Sequence, residues 1–256
     1  MTEPRVELLL EDVSKSFARV EKDEITNAVN NVTLRMVSGE FISLVGPSGC
    51  GKSTILNLVA GLIQPTLGTI KANGIEVEGP SPERGMVFQN PTLFPWLTVE
   101  KNISFSLKMQ KKLEANPDAV SRMLKLIDLE KFKDDYPGQL SGGMAQRVAL
   151  ARSLISEPEI LLLDEPLGAL DAFTRMNMQD EILAIWQQRG QLLIMVTHDI
   201  DEAIYMGTRV IVMDKNPGCI KADIPIELTY PRNRSSQAFT TYRNQILEML
   251  NFGVRE

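Results

Sequence analysis

The segment Phe41–Thr54, with the sequence FISLVGPSGCGKST, decides the fold of this chain. It starts with a short apolar run typical of a strand and continues as a glycine-rich loop that fits the pattern G-x-x-x-x-G-K-[ST]. The glycines of such a loop let successive backbone N–H groups face phosphate oxygens, and the helix that follows adds the positive end of its dipole. Because a strand precedes the loop and a helical segment follows it, we expect a nucleoside triphosphate site rather than a plain glycine-rich turn.

Two side chains of this loop have specific chemical tasks. Lys52 is expected to reach the β- and γ-phosphates, and the hydroxyl of Ser53 is expected to ligate Mg²⁺. Cys50 is expected to contribute through its backbone more than through its thiol. The predicted nucleotide-binding residues of the segment are Gly46, Pro47, Ser48, Gly49, Cys50, Gly51, Lys52, Ser53 and Thr54.

Short apolar runs alternate with helical segments in the last third of the chain, which indicates a parallel sheet covered on both faces. About residues 90–157, the chain reads as all-helical and interrupts this α/β body. A polar insert, Glu21–Asn27, is expected to be a turn between two N-terminal strands. The predicted strands are Val6–Val20, Val29–Val37, Phe41–Val45, Ile160–Leu163, Leu192–Val196 and Val210–Met213. The predicted helices are Lys52–Ile63, Val99–Leu129 with a break at Asn116-Pro117, Ser141–Leu154, Asp171–Gln188, Asp201–Met206 and one near the end of Tyr230–Glu256.

Two acids, Asp164 and Glu165, end the apolar run Ile160–Leu163. Ligands bind at the carboxyl ends of the strands in open α/β sheets, so we expect both carboxylates at the site. Asp164 is the expected Mg²⁺ ligand, and Glu165 is expected to polarise a water molecule for in-line attack on the γ-phosphate. A merely polar strand end is the alternative, and the phosphate loop upstream argues against it.

A second candidate anion site lies at Leu140–Gln146, with the sequence LSGGMAQ. Ser141 can cap a helix there, and Gly142 and Gly143 expose backbone N–H groups that no side chain covers. Glycine costs about 1 kcal/mol relative to alanine inside a helix, so close approach to an anion would explain the pair. One nucleotide rarely needs helix N-termini from two separate parts of one chain. We therefore expect two copies to pair head to tail, each lending this segment to the other's nucleotide.

Composition narrows the class of protein. The 256 residues carry 27 basic and 33 acidic side chains, a net charge of −6, which disfavours a nucleic-acid-binding surface. Apolar runs such as Ile182–Trp186 are far shorter than the about 20 residues that span a bilayer. The start, MTEPR, does not indicate a secretory signal, and two cysteines are too few for a disulfide scaffold. These features are typical of a cytosolic protein.

Together these motifs resemble those of the ATP-binding subunits of ABC transporters, over essentially the whole length. The resemblance rests on the Walker A motif Gly46–Ser53, the signature Leu140–Gln146 and the Walker B motif Ile160–Glu165. It implies an α/β fold: a P-loop NTPase (RecA-like) core with an N-terminal antiparallel β subdomain and an inserted α-helical subdomain. The implied domain is single, with a core at about 1–89 and 158–230, a helical subdomain at about 90–157 and a helical tail at 231–256.

The resemblance also assigns roles to residues outside the three motifs. Gln89 falls at the Q-loop, where contact with Mg²⁺ and the attacking water is implied, and His198 falls at the switch position that hydrogen-bonds the γ-phosphate. Phe17 falls at the position of the aromatic side chain that stacks on adenine, and Asp171 ends the D-loop. The candidate catalytic residues are thus Lys52, Gln89, Glu165 and His198, and the candidate Mg²⁺ ligands are Ser53, Gln89 and Asp164. Nucleotide contacts outside the phosphate loop are expected from Phe17, Gln89, Ser141, Gly142, Gly143, Gln146, Asp171 and His198.

Shorter segments resemble the nitrate/sulfonate/taurine import group within this family. They include Phe94–Val99, Asn216-Pro217-Gly218 and Tyr230-Pro231-Arg232. The resemblance implies the ATP-hydrolysing, energy-coupling subunit of an importer, with ATP and Mg²⁺ as cofactors. The implied partners are a second copy, two transmembrane permease subunits and, indirectly, an extracytoplasmic solute-binding protein, without nucleic acid. It also implies a peripheral position at the cytoplasmic face of the inner membrane, and it leaves the cargo open.

Other interpretations start from the same residues. A non-transport ABC ATPase acting on ribosomes or DNA usually carries two cassettes or a long coiled coil between the Walker motifs, and the stretch between Ser53 and Asp164 leaves no room for such a coil. A P-loop kinase would have no use for a second anion site. His198 and Gln89 also have a purely structural interpretation, and Phe94 and Trp96 either pack into the helical subdomain or form a socket for a helix of a membrane partner. The terminal arginines Arg232, Arg234 and Arg243 are expected on a solvated face.

Overall fold

The computed structural model describes residues 6–19, 24–215 and 217–250. The packing of the chain divides it into two compact units: the first comprises residues 1–81 and 190–256, and the second comprises residues 82–189. Several predictions extend beyond the described residues, namely those that concern Met1–Arg5, Val20, residues 21–23, Asn216 and residues 251–256. The predicted subdivision, with helices at about 90–157, stays a prediction, and that range lies inside the second unit.

The described residues form ten strands and seven α-helices. In chain order they are β1 (Glu7–Arg19), β2 (Glu24–Val37), β3 (Phe41–Val45), α1 (Lys52–Ala60), β4 (Leu67–Ala72), β5 (Ile75–Glu76), β6 (Arg84–Val87), α2 (Val99–Met109), α3 (Ala119–Leu126), α4 (Gly142–Leu154), β7 (Ile160–Asp164), α5 (Ala172–Arg189), β8 (Leu192–Val196), α6 (Ile200–Met206), β9 (Arg209–Asp214), β10 (Cys219–Pro225) and α7 (Gln237–Met249).

An antiparallel sheet in the order β2-β1-β4-β5 belongs to the first unit. Alternate residues of β1, such as Leu8 and Leu10, are fully buried, which gives this sheet one apolar face. The prediction of a turn at Glu21–Asn27 was wrong for its second half, because β2 already starts at Glu24. Polar side chains stabilise the strand there: the Ser16 hydroxyl donates to Asn27 Oδ1 at 2.8 Å across the sheet.

The first unit also contains parallel strands, which carry the phosphate loop. Strand β3 pairs in parallel with β8 on one side and with β9 on the other, and β10 adds an antiparallel edge to β9. Every residue of β3 and β8 is buried, as expected for strands with both faces covered. These pairings confirm the predicted α/β class.

The second unit combines the parallel strand pair β6–β7 with helices α2–α5. Thr98 and Ser141 cap helices α2 and α4, as their hydroxyls accept from the backbone N–H of Lys101 and Met144. Among the residues described in this unit, a buried apolar cluster joins α2, α3 and α4. Its members include Val99, Ile103, Leu107, Leu124, Val148 and Ala151. Across the described part of the chain, no helix has the length and apolar character that crossing a membrane requires.

The C-terminal arginines correct one prediction. Arg232 is buried, with 6% of its surface exposed, so the expectation of a solvated face was wrong for it. Its guanidinium donates to backbone carbonyls at the end of α6, which lie 25–28 positions earlier in the chain. Burial of an arginine requires such a complete set of acceptors, and only the tertiary fold supplies one here.

Candidate nucleotide site

The phosphate loop joins the end of β3 to the start of α1, as the sequence predicts. Gly51 precedes the helix in the left-handed region, at φ 92°, and a Cβ there would lie 2.5 Å from the carbonyl oxygen of Ala28. A Cβ on Gly46 would lie 2.6 Å from the carbonyl oxygen of Met213. Only glycine fits at these two positions, so the sequence pattern reflects close backbone packing around the loop.

Lys52 points back into this loop. Its ammonium donates to the carbonyl oxygens of Gly46 at 2.8 Å and Pro47 at 3.1 Å, and the residue is buried. The positive charge thus lies inside the curve of the loop, where an anion would compensate it. Ser48, Gly49 and Ser53 are exposed, and Pro47, Gly51 and Thr54 are partly exposed.

The thiol of Cys50 is buried beside this lysine. Its Sγ lies 3.7 Å from the Lys52 ammonium, and only 1% of the residue is exposed. Burial raises the pKa of the Cys50 thiol, although the lysine charge opposes this shift. The thiol is therefore kept protonated at neutral pH, and Cys50 fills space beneath the loop.

His198 lies at the same sheet edge as the phosphate loop. Strand β8 pairs with β3 so that Val196 is opposite Leu44, and the N–H of Thr197 donates to the carbonyl of Leu44 at 3.2 Å. His198 follows and is exposed. Asp199 then caps α6, with its carboxylate accepting from the N–H of Glu202 at 3.1 Å. The strand pairing therefore brings the predicted switch histidine and the predicted phosphate loop to one edge of the sheet.

Phe17 lies on β1, in the antiparallel sheet of the first unit. Its side chain is 41% exposed, and the ammonium of Lys15 lies 5.3 Å from the centre of its ring. The ammonium lies over one face of the ring, which leaves the other face for stacking with a base. The assignment of Phe17 to adenine stays a prediction.

The second unit brings three predicted residues together. Asp164 ends β7 with only 8% of its surface exposed, and Glu165 follows in the left-handed region at φ 46°. Strand β6 pairs with β7 so that Val87 is opposite Leu163, which carries Gln89 to the same end. The amide of Gln89 donates to Glu165 Oε2 at 2.9 Å. A carboxylate and a neutral amide in contact, next to a second carboxylate, are suited to orient a water molecule or a cation.

The signature segment starts helix α4. Ser141 Oγ accepts from the N–H of Met144 at 3.3 Å, which confirms the predicted cap. Ser141 and Gly142 are exposed, and a Cβ on Gly142 would meet no atom within 4 Å. A Cβ on Gly143 would lie 3.1 Å from a side-chain atom of Leu170, the residue before Asp171. Sterics within the described chain therefore do not require glycine at 142, and at 143 a small shift of the flexible Leu170 side chain would make room for a Cβ.

Two other predicted nucleotide contacts have partners inside the second unit. Gln146 is buried, and its amide donates to the carbonyl of Phe88 at 3.2 Å, so it holds the segment that carries Gln89. The carboxylate of Asp171 accepts from the N–H groups of Phe173 at 3.1 Å and Thr174 at 3.0 Å, at the start of α5. The bond from Thr174 lowers the pKa of Asp171. Their contact with nucleotide stays a prediction.

The sequence did not point to Arg152, which also positions the Q-loop. Its guanidinium donates to the carbonyls of Thr92 at 3.0 Å and Pro91 at 3.2 Å, and Ser153 donates to the carbonyl of Met86 at 2.9 Å. With Gln146, helix α4 thus holds residues 86–92 through three side chains. Gln146 and Ser153 are seven positions apart, so they lie on the same face of the helix. This spacing of two polar residues is the sequence signal that could have identified their role.

Phe94 and Trp96, the aromatic residues that follow the Q-loop, differ in their burial. Phe94 packs on Phe105 of α2 with ring centres 4.5 Å apart, whereas Trp96 is 70% exposed. A cavity of about 680 Å³ opens beside Trp96. It is lined by Trp96, Leu97, Lys101, Phe105, Lys108 and Met109, among others.

The donor set suits Mg²⁺ more than a softer metal. The predicted ligands offer a hydroxyl from Ser53 in the first unit, and a carboxylate from Asp164 and an amide oxygen from Gln89 in the second. In the described residues, no group of three or more His, Cys, Asp or Glu side chains could hold a metal alone. Magnesium in nucleotide sites typically takes one or two carboxylates and completes its shell with water and substrate phosphates, so the oxygen chemistry of these donors, taken one by one, suits it.

Known proteins are similar to this chain over the residues of this site. A family model described as ABC transporter matches residues 29–168. The chain is 43% identical over 244 residues to the aliphatic sulfonates import ATP-binding protein SsuB of Bacillus thuringiensis, covering 95% of this chain and 96% of that protein. It is 45% identical over 248 residues to an uncharacterized ABC transporter ATP-binding protein of Methanocaldococcus jannaschii, covering 96% and 92%.

A solved structure agrees with the fold. The dimeric post-hydrolysis state of the ATP-binding cassette MJ0796, bound to ADP and Pi, is 33% identical to this chain with a TM-score of 0.78. The match covers 87% of this chain and 100% of that one, and it confirms the predicted P-loop NTPase fold. The chain belongs to the ABC transporter family, as one of its ATP-binding, ATP-hydrolysing subunits.

Proposed function

We propose that this chain is the energy-coupling ATPase of an importer for a small solute, with an aliphatic sulfonate as the leading cargo. The observation that carries the proposal is the 43% identity, over nearly the full length of both chains, to a protein named for aliphatic sulfonate import. Taurine, nitrate and related small solutes remain in the same proposal, because the cassette itself does not bind the cargo.

The proposed reaction uses the side chains described above. Lys52 exchanges its loop carbonyls for the β- and γ-phosphates of ATP, a change favoured by their negative charge. Glu165 accepts a proton from the attacking water, and Gln89 orients that water. His198 donates to the γ-phosphate and detects its loss. Mg²⁺, held by Ser53, Asp164 and Gln89, would offset the charge that develops on the phosphates.

We propose that two copies form the catalytic unit. The support is the exposed N-terminus of α4, where Ser141 and Gly142 have room for a phosphate group that this chain's own packing does not supply. A γ-phosphate bound there by a second copy would join the copies, and its release would let them separate. The name of the solved relative describes a dimer, which supports the same arrangement for this chain.

The proposed membrane partners are two permease subunits, served by an extracytoplasmic solute-binding protein. Trp96 and the cavity beside it offer an exposed apolar surface for a helix of the permease. Because Arg152 ties the preceding loop to the signature helix, movement of this surface would be passed to the site where ATP joins the copies. The chain would then lie at the cytoplasmic face of the inner membrane without crossing it.

Reconstitution tests this proposal. The chain, its co-encoded permease and its binding protein would be placed in proteoliposomes and offered an alkanesulfonate, taurine and nitrate in turn. We expect the cognate solute, with its binding protein, to stimulate ATP hydrolysis and to accumulate inside. Stimulation by ribosomes or DNA, with no response to any solute, would contradict a role in transport.

A further inference from the structure

In the first unit, the C-terminal segment, residues 230–249, packs against helix α6. This helix starts directly after Asp199, the neighbour of His198. Both ends of this helix contact the segment. The contacts come from Tyr230 and Arg232 at one end and from Arg243 at the other.

At the carboxyl end of α6, the segment satisfies four consecutive carbonyl groups. Helix ends leave such carbonyls without a partner inside the helix, and burial would make them costly. Arg232 donates to three of them and Tyr230 donates to the fourth at 2.5 Å. The four carbonyls are those of Ile204, Tyr205, Met206 and Gly207.

The chemistry of Tyr230 and Arg232 suits them to hold the end of α6 in one position. The guanidinium of Arg232 also donates to the carbonyls of Leu228 at 3.0 Å and Ile226 at 3.3 Å, and it stacks 4.1 Å from the centre of the Tyr230 ring. Burial raises the pKa of Tyr230 to about 12, so its hydroxyl keeps the proton that it donates. Only the fork of an arginine reaches this many acceptors, and its charge suits the negative end of a helix dipole.

At the amino end of α6, the contact is an ion pair with two bonds. Arg243 of helix α7 donates to both carboxylate oxygens of Asp201, at 2.5 and 2.6 Å. Asp201 is in the first turn of α6, three positions after His198. The pair is partly exposed, so its geometry matters more here than its contribution to stability.

We infer that Arg232 and Arg243 are positioning residues for His198, which act by fixing the helix that follows it. Helix α6 has seven residues, too few to be stable alone in water, so its contacts decide where it lies. A shift of α6 moves the Asp199 cap and the adjacent His198. Displacement of a catalytic group by about 1 Å can lower a rate by up to about a hundredfold.

This inference rests on the proposed role of His198 and is tested on the full chain with ATP and Mg²⁺. Arg243→Asp and Asp201→Arg are each expected to lower kcat by about tenfold while the KM for ATP stays close to wild type. The two changes together restore an ion pair of reversed sign and are expected to recover a large part of kcat. Arg232→Lys is expected to lower kcat as well, because an ammonium cannot bridge the same carbonyls.

Two further measurements separate positioning from a loss of fold. Arg35→Ala breaks an ion pair with Glu7 at the surface of β2, which involves no residue of α6, and is expected to keep the wild-type kcat. Combining Arg243→Asp with His198→Ala is expected to give the turnover of His198→Ala alone, because no histidine is left to position. A general loss of stability would lower the double variant further and would also lower the thermal midpoint and ATP binding.

The outcomes are distinct. If His198→Ala lowers turnover while the Arg232 and Arg243 variants keep the wild-type kcat, the inference is overturned and the proposed role of His198 stands. If the Arg232 and Arg243 variants lower kcat equally with and without His198, they act through stability and the inference is also overturned. If His198→Ala itself turns over at the wild-type rate, the proposed role of the histidine fails and takes this inference with it.

Discussion

The side-chain amide of Gln89 donates to Glu165 Oε2 at 2.9 Å, so the Q-loop and the end of the Walker B strand are joined by one hydrogen bond. This bond occupies a lone pair of the carboxylate that the proposed mechanism uses as a base. A carboxylate has about four acceptor sites, so a water molecule can bind Glu165 while Gln89 stays in place, and both side chains can orient it. We expect movement of the Q-loop to act on the base through this bond, and the loop itself is held by Gln146 and Arg152.

Replacing Glu165 by glutamine tests its proposed role as the base. The amide keeps the size of the side chain and a hydrogen bond to Gln89, but it cannot take a proton. We expect Glu165→Gln to lower the rate of ATP hydrolysis by about 10²–10³-fold while ATP binding is unchanged. Single-turnover hydrolysis and equilibrium binding of ATP measure the two effects, and Glu130→Gln, on an exposed turn, is the control. Rapid turnover by Glu165→Gln would assign the base elsewhere.

Gly51 provides a test of the packing around the phosphate loop. Alanine at position 51 would have to adopt the left-handed backbone conformation, with φ at 92°. Its Cβ would also lie 2.5 Å from the carbonyl oxygen of Ala28. At Gly74, with φ 76°, the added Cβ meets nothing within 4 Å, so only the backbone cost of about 1–2 kcal/mol applies. We expect Gly51→Ala to lower the free energy of unfolding more than Gly74→Ala and to weaken ATP binding. Equal losses in urea unfolding would show that the close contact is absent.

Arg152 is expected to contribute both to the stability of the fold and to the position of the Q-loop. Its guanidinium holds the carbonyls of Pro91 and Thr92, and lysine cannot reproduce both bonds. We expect Arg152→Lys to cost about 1 kcal/mol in urea unfolding, since hydrogen bonds to partly exposed carbonyls are lost. Arg122→Lys, at an exposed position of α3, is expected to cost less than about 0.5 kcal/mol. A cost for Arg152→Lys as small as that of the control would mean that the Q-loop does not depend on helix α4.

Cys50 gives a prediction that depends on pH. Burial raises the pKa of its thiol, so less thiolate is present at a given pH than in an ordinary exposed cysteine. In the folded chain carrying Cys219→Ser, we expect alkylation by iodoacetamide at pH 8 to be at least about tenfold slower than in urea, and to accelerate only at higher pH. Mass spectrometry follows the label. Labelling at the unfolded rate would show that the thiol is accessible beneath the loop.

The elements that the sequence predicts well are those governed by local rules. The loop Gly46–Ser53 is specified by its glycines, and Asp164 and Glu165 are placed by the apolar strand that they end. The cap at Ser141 follows from residue type and position alone. Each of these features needs only a few neighbouring residues, so one sequence is enough to find it.

The features that the sequence missed depend on residues far apart in the chain. The bonds from Arg152 to Pro91 and from Gln146 to Phe88 join positions about sixty apart, and no local pattern marks them. Arg232 looked like a surface charge because its acceptors appear only when α6 and the tail pack together. The start of β2 at Glu24 was missed for the same reason, since its polar residues are satisfied by the partner strand.

The pairing of two copies is the central claim of this account, and helix α4 is where it is most directly tested. Ser141→Arg places a bulky cation where the γ-phosphate of the other copy is expected, and it also removes the helix cap. Thr98→Ala removes the corresponding cap of α2 and is the control for that loss, which is about 1 kcal/mol.

The decisive measurement is the mass in solution of Glu165→Gln with saturating ATP and Mg²⁺, with and without Ser141→Arg, by light scattering. We predict a dimer for Glu165→Gln and for its combination with Thr98→Ala, and an ATP-bound monomer once Ser141→Arg is added. A dimer that persists with Ser141→Arg, or a Glu165→Gln chain that binds ATP and stays monomeric, would contradict the account.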